Sequence, residues 1–352
     1  MKKLIIIQTA VPDYRMNFFS YLKKKLGNRF HLLAGDEYFE NSVKSYEKID
    51  YVPLNNHFLF KRKFLFQTGH WKWLFSKSVV VMELNPRIIS NWIFLIVRKI
   101  SGKKTVLWGH AWPRKGPNSS SDKLRNLMRN LSAEIIVYTR QQQQELQEKM
   151  PHKKIKAAPN ALYHAEMMQA EKKPQARHLI YVGRFTALKK VKFLVEAFHR
   201  ALPEIPPHVN LLMAGNGEEF QPIKNYIEKN NLQNRIKLLG HVSGYQQLKE
   251  LYAQSFFSVS PGYVGLSVTQ SLGFGVPLLV SKNENHSPEI EAVETGKNAV
   301  FFETDNTEDF VNKLREIYDK QEEWLAKREK ISVFCKQNYS VEAMAKAFLE
   351  LV

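Results

Sequence analysis

Short apolar runs rich in β-branched residues alternate with amphipathic segments along nearly the whole chain. In the first half such runs are KLIIIQ, RFHLLAG, VVVMEL, KTVLWGH and EIIVYT, and in the second half HLIYVG, NLLMAG, RIKLLG, FFSVS, PLLVS and AVFF. Helical patterns separate them, for example Met16–Lys25, Ile89–Ile100 and Phe220–Lys229. Fully apolar strands that alternate with helices are typical of parallel sheets covered on both faces. The sequence therefore predicts an α/β protein.

A polar interval divides this pattern in two. Residues Leu162–Arg177 lack a clear apolar face and contain a proline, and the strand–helix alternation restarts at His178. A chain of 352 residues is also longer than one hydrophobic core usually serves. We therefore predict a first domain over residues 1–165 and a second over residues 174–335.

The positive charge of the chain is confined to its first half. The formal net charge is +18; residues 1–173 hold 31 Lys and Arg against 13 Asp and Glu, whereas residues 174–352 hold 21 against 21. A field of this size attracts polyanions such as nucleic acid, an anionic membrane surface or an acidic substrate. A basic surface that serves only solubility is the alternative.

Cysteine content and hydropathy restrict the cellular setting. The single cysteine, Cys335, excludes a disulfide framework and fits a reducing compartment. The apolar run after the first lysines is too short for a signal peptide, and Trp92–Val97 cannot span a bilayer. We expect a cytoplasmic protein that does not span a membrane.

Glycine and basic residues follow the predicted strands of the second half. Gly183 and Arg184 come directly after HLIYV, and Lys189 follows five residues after Arg184. In open parallel sheets ligands bind at the carboxyl ends of the strands, and arginine and lysine suit phosphate. A solvated loop with ordinary surface charges is the alternative.

Six segments, in order, resemble one known family. They are VLWGHAW, APNALY, VGRFTALKKVKFLVEAF, LLMAGNGEE, the strand–helix–strand IKLLGHVSGYQQLKELYAQSFFSVSP, and LGFGVPLLVS. Together they resemble the retaining GT-B glycosyltransferases of family 4, most strongly over residues 178–302. The resemblance implies two Rossmann-like α/β domains with parallel sheets that face a central cleft. It also implies that the C-terminal residues, 336–352, form a helix that packs back on the first domain.

The resemblance assigns roles to individual residues. Arg184 and Lys189 match the basic pair that grips the donor diphosphate, and Gly183 belongs to the same loop. His110 matches a histidine that approaches the donor sugar from the first domain; a structural hydrogen-bonding role is the alternative. The turn Gly265, Leu266 and Ser267 matches a helix start whose N–H groups receive phosphate oxygens, whereas Gly273, Gly275 and Pro277 are packing and turn residues. No metal is expected, because the family uses side chains and backbone instead.

The chain departs from the family where the family carries two glutamates spaced E-x7-E. Those positions are Gly262 and Gln270 here. Gln270 can still bind a ribose hydroxyl, whereas Gly262 offers only backbone, so the sugar contact is lost or supplied from elsewhere. Glu289 and Glu291 are candidate substitutes, or ordinary exposed acids. Lys190 stands where the family commonly has glycine.

The first half is expected to bind the acceptor. Residues His57–Phe75 interleave aromatic and leucine side chains with basic ones, a mixture suited to the headgroup region of an anionic membrane. A core helix with a basic outer face is the alternative. Tyr14 and Arg15 lie at a strand-to-helix junction, where Arg15 could meet an anionic acceptor. The chain contains no RNP, KH or helix-turn-helix pattern, which argues against nucleic acid as the partner.

The sequence thus predicts a glycosyltransferase that moves a sugar from a nucleotide-diphosphate sugar to a glycan or lipid-linked acceptor. The pathway expected is the synthesis of cell-surface polysaccharide such as lipopolysaccharide or capsule, at the inner face of the cell membrane. Two other functions stay open, a non-catalytic sugar-nucleotide-binding subunit and a GT-B sugar-nucleotide epimerase.

Overall fold

The computed structural model describes residues 2–40, 43–113, 116–171 and 176–352. It divides the chain into two compact units: unit 1 comprises Met1–Leu162 and Val341–Val352, and unit 2 comprises Tyr163–Ser340. The first boundary lies three residues before the predicted one, and the predicted start of the second domain, residue 174, lies outside the described residues.

Unit 1 contains a seven-stranded parallel sheet in the order β3-β2-β1-β6-β7-β8-β9, together with the antiparallel hairpin β4-β5. Its strands are β1 (Leu4–Gln8), β2 (Phe30–Ala34), β3 (Val52–Pro53), β4 (Asn55–Leu59), β5 (Phe64–Thr68), β6 (Val79–Glu83), β7 (Thr105–Trp108), β8 (Glu134–Val137) and β9 (Lys154–Ala157). The central strands are buried along their whole length, as expected for strands covered on both faces.

Unit 2 contains a six-stranded parallel sheet in the order β12-β11-β10-β13-β14-β15. Its strands are β10 (His178–Val182), β11 (Leu211–Ala214), β12 (Ile236–Gly240), β13 (Ser255–Ser260), β14 (Leu278–Ser281) and β15 (Ala299–Phe302). Because the chain leaves β10 in one direction and resumes on its other side at β13, the strand order reverses between these two strands.

Helices cover the sheets of both units. They are α1 (Met16–Leu26), α2 (Ile89–Ile100), α3 (Ser120–Leu131), α4 (Arg140–Lys149), α5 (Val191–Ala201), α6 (Phe220–Lys229), α7 (Tyr245–Gln254), α8 (Ser267–Gly273), α9 (Thr307–Asp319), α10 (Gln321–Tyr339) and α11 (Val341–Leu349). The last helix packs on α1, where the rings of Phe18 and Phe348 lie 5.1 Å apart, so the end of the chain belongs to the core of unit 1.

The strands and helices predicted from periodicity form close to their predicted limits, and one other segment differs from its interpretation. Residues 55–68 form a β-hairpin, so the alternative of a core helix in His57–Phe75 is wrong for this part. Its alternating exposure explains why a helical apolar face is missing. Across the described ranges, no helix combines the length and apolar content needed to cross a bilayer.

Candidate active site

The loops after β10 and β13 meet where the strand order of unit 2 reverses. In open α/β sheets this position forms a crevice at the carboxyl ends of the strands. Here the backbone N–H of Tyr263 donates to the carbonyl oxygen of Leu188 at 3.0 Å. The Nζ of Lys189 donates to the carbonyl oxygen of Tyr263 at 2.7 Å. The structure thus brings the predicted basic loop against the glycine-containing loop.

Gly262 is required by this close approach. A Cβ at Gly262 would lie 2.5 Å from the carbonyl oxygen of Leu188 and 2.9 Å from the carbonyl carbon of Lys189. Both atoms belong to the backbone, which cannot turn aside as a flexible side chain can. A glutamate at position 262 would therefore collide with the loop that carries Lys189.

Lys189 is a half-buried cation with an unusual titration. Burial and the nearby positive charge of Arg184 together lower the pKa of Lys189 to about 8, while Glu289 opposes the shift. Its ammonium group lies 4.5 Å from the centre of the Tyr263 ring. A cation held in this way gains stability from an anion placed beside it, because the anion favours the charged form.

Arg184 lies on the exposed side of the same loop, directly after Gly183. The Tyr181 hydroxyl donates to the Arg184 carbonyl oxygen at 2.9 Å, which fixes the backbone but leaves the side chain exposed. The turn after β11 packs closely from the other side, since a Cβ at Gly215 would lie 1.9 Å from the Gly183 carbonyl oxygen. The predicted pair Arg184 and Lys189 is thus carried by one well-supported loop.

The predicted helix start lies at the beginning of α8. The backbone N–H of Val268 donates to the Gly265 carbonyl oxygen at 3.0 Å, and Leu266 has helical backbone angles. A small cavity opens there, lined by Tyr181, Val182, Lys189, Ser260, Pro261, Gly262, Tyr263 and Ser267. Of the predicted residues, Lys189 and Ser267 therefore line one cavity.

Gln270 is engaged inside unit 2. Its Oε1 accepts from the Tyr252 hydroxyl at 3.2 Å, and its Nε2 donates to the Tyr163 hydroxyl at 2.8 Å. The side chain is buried. Both functional groups of the amide therefore take part in an internal network, and the predicted contact of Gln270 with a ribose hydroxyl stays a prediction.

The segment after β14 contributes residues that the sequence did not single out. The Tyr263 hydroxyl and Ser287 Oγ form a hydrogen bond, and the Ser287 N–H donates to the Val264 carbonyl oxygen at 3.0 Å. His286 Nδ1 accepts from the Val264 N–H at 3.2 Å, and burial lowers the pKa of His286. The predicted Glu289 is buried one turn further on. Tyr263, directly after Gly262, was the feature of the sequence that could have indicated this cluster of Tyr263, His286 and Ser287.

Lys190, where the family commonly has glycine, has left-handed backbone angles with φ at 50°. Its Nζ forms ion pairs with Glu284 at 2.6 Å and Asp305 at 2.7 Å, and these partners raise the pKa of Lys190 above its ordinary value. The ion pairs fasten the end of the Lys189 loop to the segments after β14 and β15. They offset the conformational cost that a non-glycine residue incurs there.

In unit 1, Arg15 is buried rather than exposed at a surface. Its guanidinium donates to Gln8 Oε1 at 2.7 Å and to the Tyr138 hydroxyl at 3.1 Å, and lies 4.2 Å from the centre of the Trp108 ring. Tyr14, half-buried, precedes it. The charge of Arg15 is committed to the interior of unit 1, and its predicted role in acceptor binding stays a prediction.

His110 and Glu83 lie at the carboxyl ends of neighbouring strands of the same unit. His110 is exposed after β7, with its ring 4.8 Å from that of Tyr138. Glu83 ends β6 and accepts a 2.5 Å hydrogen bond from the Thr9 N–H. Burial raises the pKa of Glu83, while Thr9 and Arg15 oppose the shift. Sequence reasoning missed Glu83, although an acid that ends an otherwise apolar strand was visible.

Unit 2 is similar in sequence to known glycosyltransferases. Residues 164–338 match the family model described as glycosyl transferases group 1. An uncharacterised glycosyltransferase from Methanocaldococcus jannaschii is 29% identical over 161 residues, which cover 42% of this chain and 39% of that protein. The poly(glycerol-phosphate) alpha-glucosyltransferase of Bacillus subtilis is 32% identical over 104 residues, which cover 28% of this chain and 15% of that protein. The chain thus spans less than half the length of these curated relatives.

The same architecture occurs in solved structures. Anabaena HepE in complex with UDP superimposes with a TM-score of 0.70 at 14% identity, covering 100% of this chain and 99% of that one. The two Rossmann-like domains with parallel sheets are therefore those of the GT-B fold, and the fold prediction is confirmed. The matched residues make up almost all of unit 2, so unit 2 resembles a glycosyl transferases group 1 domain, in agreement with the resemblance found in the sequence.

Proposed function

We propose that the chain is a retaining hexosyltransferase of the family 4 type that uses a nucleotide-diphosphate sugar. The observation that carries the proposal is the meeting of the Arg184–Lys189 loop with the Gly262–Ser267 loop at the reversal point of unit 2. Arg184 on the exposed side and Lys189 beside the cavity provide two cations for a diphosphate. The B. subtilis relative, a glucosyltransferase by name, supports the same reaction class.

The two cations would act on the leaving group. As the bond from the anomeric carbon to the diphosphate oxygen breaks, negative charge grows on the diphosphate, and fixed cations bind this charge more strongly than the ground state. The acceptor hydroxyl attacks the same face of the sugar, and its proton passes to the departing diphosphate oxygen. No metal is required for these steps, and this part of the proposal rests on the family resemblance.

Donor selection is proposed to differ from that of relatives with a glutamate at position 262. Gly262 contributes only backbone, and its space is occupied by the Leu188 carbonyl group. Glu289, which is close enough to Lys189 to affect its pKa, is the carboxylate that we propose for the sugar contact. Tyr263, which follows Gly262 in the loop, and Ser287 are joined by a hydrogen bond and add two hydroxyl groups to this region.

Unit 1 is proposed to serve the acceptor, a glycan or lipid-linked molecule of a cell-surface polysaccharide. Unit 1 holds 30 Lys and Arg against 13 Asp and Glu. Such a field favours an anionic acceptor or an anionic membrane surface at the cytoplasmic face. The polymer named for the B. subtilis relative, poly(glycerol-phosphate), is itself a polyanion.

A non-catalytic sugar-nucleotide-binding subunit is the second candidate. The engaged amide of Gln270 and the missing side chain at Gly262 favour it, because both positions that the family uses for ribose and sugar contacts are altered. The two functions differ in product formation and not in nucleotide binding.

Calorimetric titration with UDP, GDP and ADP, followed by mass spectrometry of products from a panel of sugar nucleotides, tests the proposal. We expect one nucleotide to bind and one donor to yield a transferred or hydrolysed sugar, with or without EDTA. Arg184→Ala should weaken nucleotide binding roughly tenfold or more, whereas Arg200→Ala, exposed on α5, should not. Tight binding without turnover of any donor would favour the non-catalytic subunit; equal affinity of the two variants would remove the assigned site.

A further inference from the structure

Helix α2 of unit 1 exposes a row of large aliphatic side chains. Ile93, Ile96 and Ile100 follow the i, i+3, i+7 spacing of one helix face, and Ile100 is 82% exposed. The opposite face of α2 is buried through Phe94 and Leu95. The exposed row therefore takes no part in the hydrophobic core of unit 1.

Helix α3 continues this row on its own surface. Leu124 and Leu127 are both exposed, Leu127 by 54%. Both helices connect parallel strands of one sheet, so they run in the same direction, and Lys99 Nζ donates to the Asn130 carbonyl oxygen at 3.2 Å. That bond joins the last turns of α2 and α3, so the two exposed rows lie on neighbouring, contacting helices.

A buried arginine near the end of α2 holds a further exposed aromatic residue close to this helix. Arg98 is fully buried, and its guanidinium donates to the carbonyl oxygens of Trp73, Leu74, Ser76, Ser78 and Lys104. These bonds hold the segment before β6 against the end of α2. That segment carries Phe75, which is 66% exposed. We call the surface formed by Phe75, Ile93, Ile96, Ile100, Leu124 and Leu127 the α2–α3 face.

The charged side chains exposed on α2, on α3 and on either side of Phe75 are all basic. Neither helix exposes an acidic side chain, because α2 has none and the sole acid of α3, Asp122, is buried between Arg129 and Lys149. Lys99 and Lys123 are exposed on the two helices, and Lys72 and Lys77 are exposed on either side of Phe75. A second copy of this chain would bring like charges together, whereas an anionic lipid surface complements them.

We propose that the α2–α3 face docks unit 1 onto an anionic lipid membrane. Aliphatic and aromatic side chains enter the boundary between headgroups and acyl chains, and the surrounding lysines bind lipid phosphates. This inference rests on the proposed function, in which a membrane surface presents the acceptor. The sequence predicted membrane contact through residues 57–75. The structure-based proposal moves this contact to α2 and α3 and keeps only Phe75 from that segment.

Co-sedimentation with equimolar phosphatidylcholine–phosphatidylglycerol vesicles tests the assignment, with phosphatidylcholine vesicles as the uncharged comparison. The double variant Ile96→Gln/Leu127→Gln should reduce binding roughly tenfold or more, because two partly exposed aliphatic anchors are lost. Val333→Gln, at an exposed valine of α10 in unit 2, is the matched control and should bind as the wild type does. The wild type should bind the uncharged vesicles far more weakly.

Two outcomes would overturn the inference. One is a double variant that binds anionic vesicles like the wild type while Phe60→Ser, at the exposed tip of the β4-β5 hairpin, loses binding. The other is a wild-type dimer in sedimentation velocity that the double variant dissociates, which would assign the face to a second copy. Nucleotide affinity of the same proteins is measured separately and should be unchanged in the double variant. A wild type that sediments with vesicles but binds no nucleotide would contradict the proposed function alone.

Discussion

The two units share a topology: in each sheet the first strand has two strands on one side and a longer series on the other. The residues at the point where the strand order reverses nevertheless differ in chemistry. In unit 2 the loops at this point present Arg184 and Lys189 beside Gly262 and a small cavity. In unit 1 the corresponding charges are Arg15, which is buried, and Glu83, which is half-buried, and they are hydrogen-bonded to Gln8, Tyr138 and Thr9.

The difference shows that one topology can serve two purposes. In unit 2 glycine lets backbone segments approach closely while cations stay accessible to a ligand. In unit 1 the cation and the acid supply internal hydrogen bonds that hold the strand ends together. Function in such folds therefore resides in the groups at the strand ends and not in the strand order.

Replacing Arg15 in unit 1 and Arg184 in unit 2 should give the largest difference in stability between two matched variants. Arg15→Ala leaves the buried Gln8 and the half-buried Tyr138 without their partner and Glu83 without a nearby cation, and should lower the free energy of unfolding by about 3 kcal/mol. Arg184→Ala, at an exposed position, should change it by less than about 0.5 kcal/mol. Urea unfolding of both variants, with Lys24→Ala on α1 as a surface control, measures this. Equal destabilisation by the two arginine variants would refute the contrast.

Lys189→Met should reduce the affinity for a nucleoside diphosphate by about tenfold to a hundredfold, since a charge-assisted contact to phosphate is lost. Lys192→Met, three residues further along in α5, is the matched control because Lys192 pairs only weakly with Glu196 at 4.0 Å. Calorimetric titration of the two variants decides the point. A comparable loss in both would mean that general charge, and not the loop, governs binding.

Gly262→Ala should lower the free energy of unfolding by about 1–3 kcal/mol, because the new Cβ meets the Leu188 carbonyl oxygen and the loop must shift. Gly265→Ala has ordinary contact distances, 3.6 Å to Ser287 Oγ, and should be nearly neutral in stability. Thermal unfolding of the two variants compares them. If Gly262→Ala is as stable as Gly265→Ala, the close approach of the two loops is absent in solution.

The smallest effect concerns Lys190. Lys190→Ala loses the ion pairs with Glu284 and Asp305 and retains the left-handed backbone, whereas Lys190→Gly loses the same pairs but relieves the backbone. The glycine variant should therefore be more stable than the alanine variant by about 1 kcal/mol. Chemical denaturation of the pair resolves a difference of this size, and an alanine variant of equal or higher stability would exclude backbone strain at this position.

The predictions from sequence were strongest where periodicity was continuous. Strands such as β1 and β13 are buried along their length, so their apolar runs identified them. Strand β9, with lysines alternating around Ile155, was missed because an edge strand has little apolar content. The hairpin β4-β5 was missed because basic residues occupy its turn, where Phe60, Lys61 and Arg62 have positive φ without a glycine.

For the site, the sequence identified the basic loop and the glycines, because these residues lie close together in the chain and form a recognisable motif. It did not reveal that Arg15 is buried or that Gln270 bonds to Tyr163 and Tyr252, since such partners lie 107 and 18 residues away in the chain. It also missed Tyr263, His286 and Ser287, whose importance depends on contacts with the loop after β13.

The central claim is that the diphosphate of a nucleotide binds beside Lys189, and proton uptake on binding tests it most directly. The pKa of Lys189 is about 8, so near pH 8 about half of the molecules carry the proton, and a bound anion favours the charged form. UDP affinity should accordingly fall as the pH rises through about 8. Calorimetric titration with UDP at pH 8, in two buffers of different ionisation enthalpy, should show an uptake of about half a proton that Lys189→Met abolishes. Binding without proton uptake, or the same uptake in Lys189→Met, would contradict the assignment.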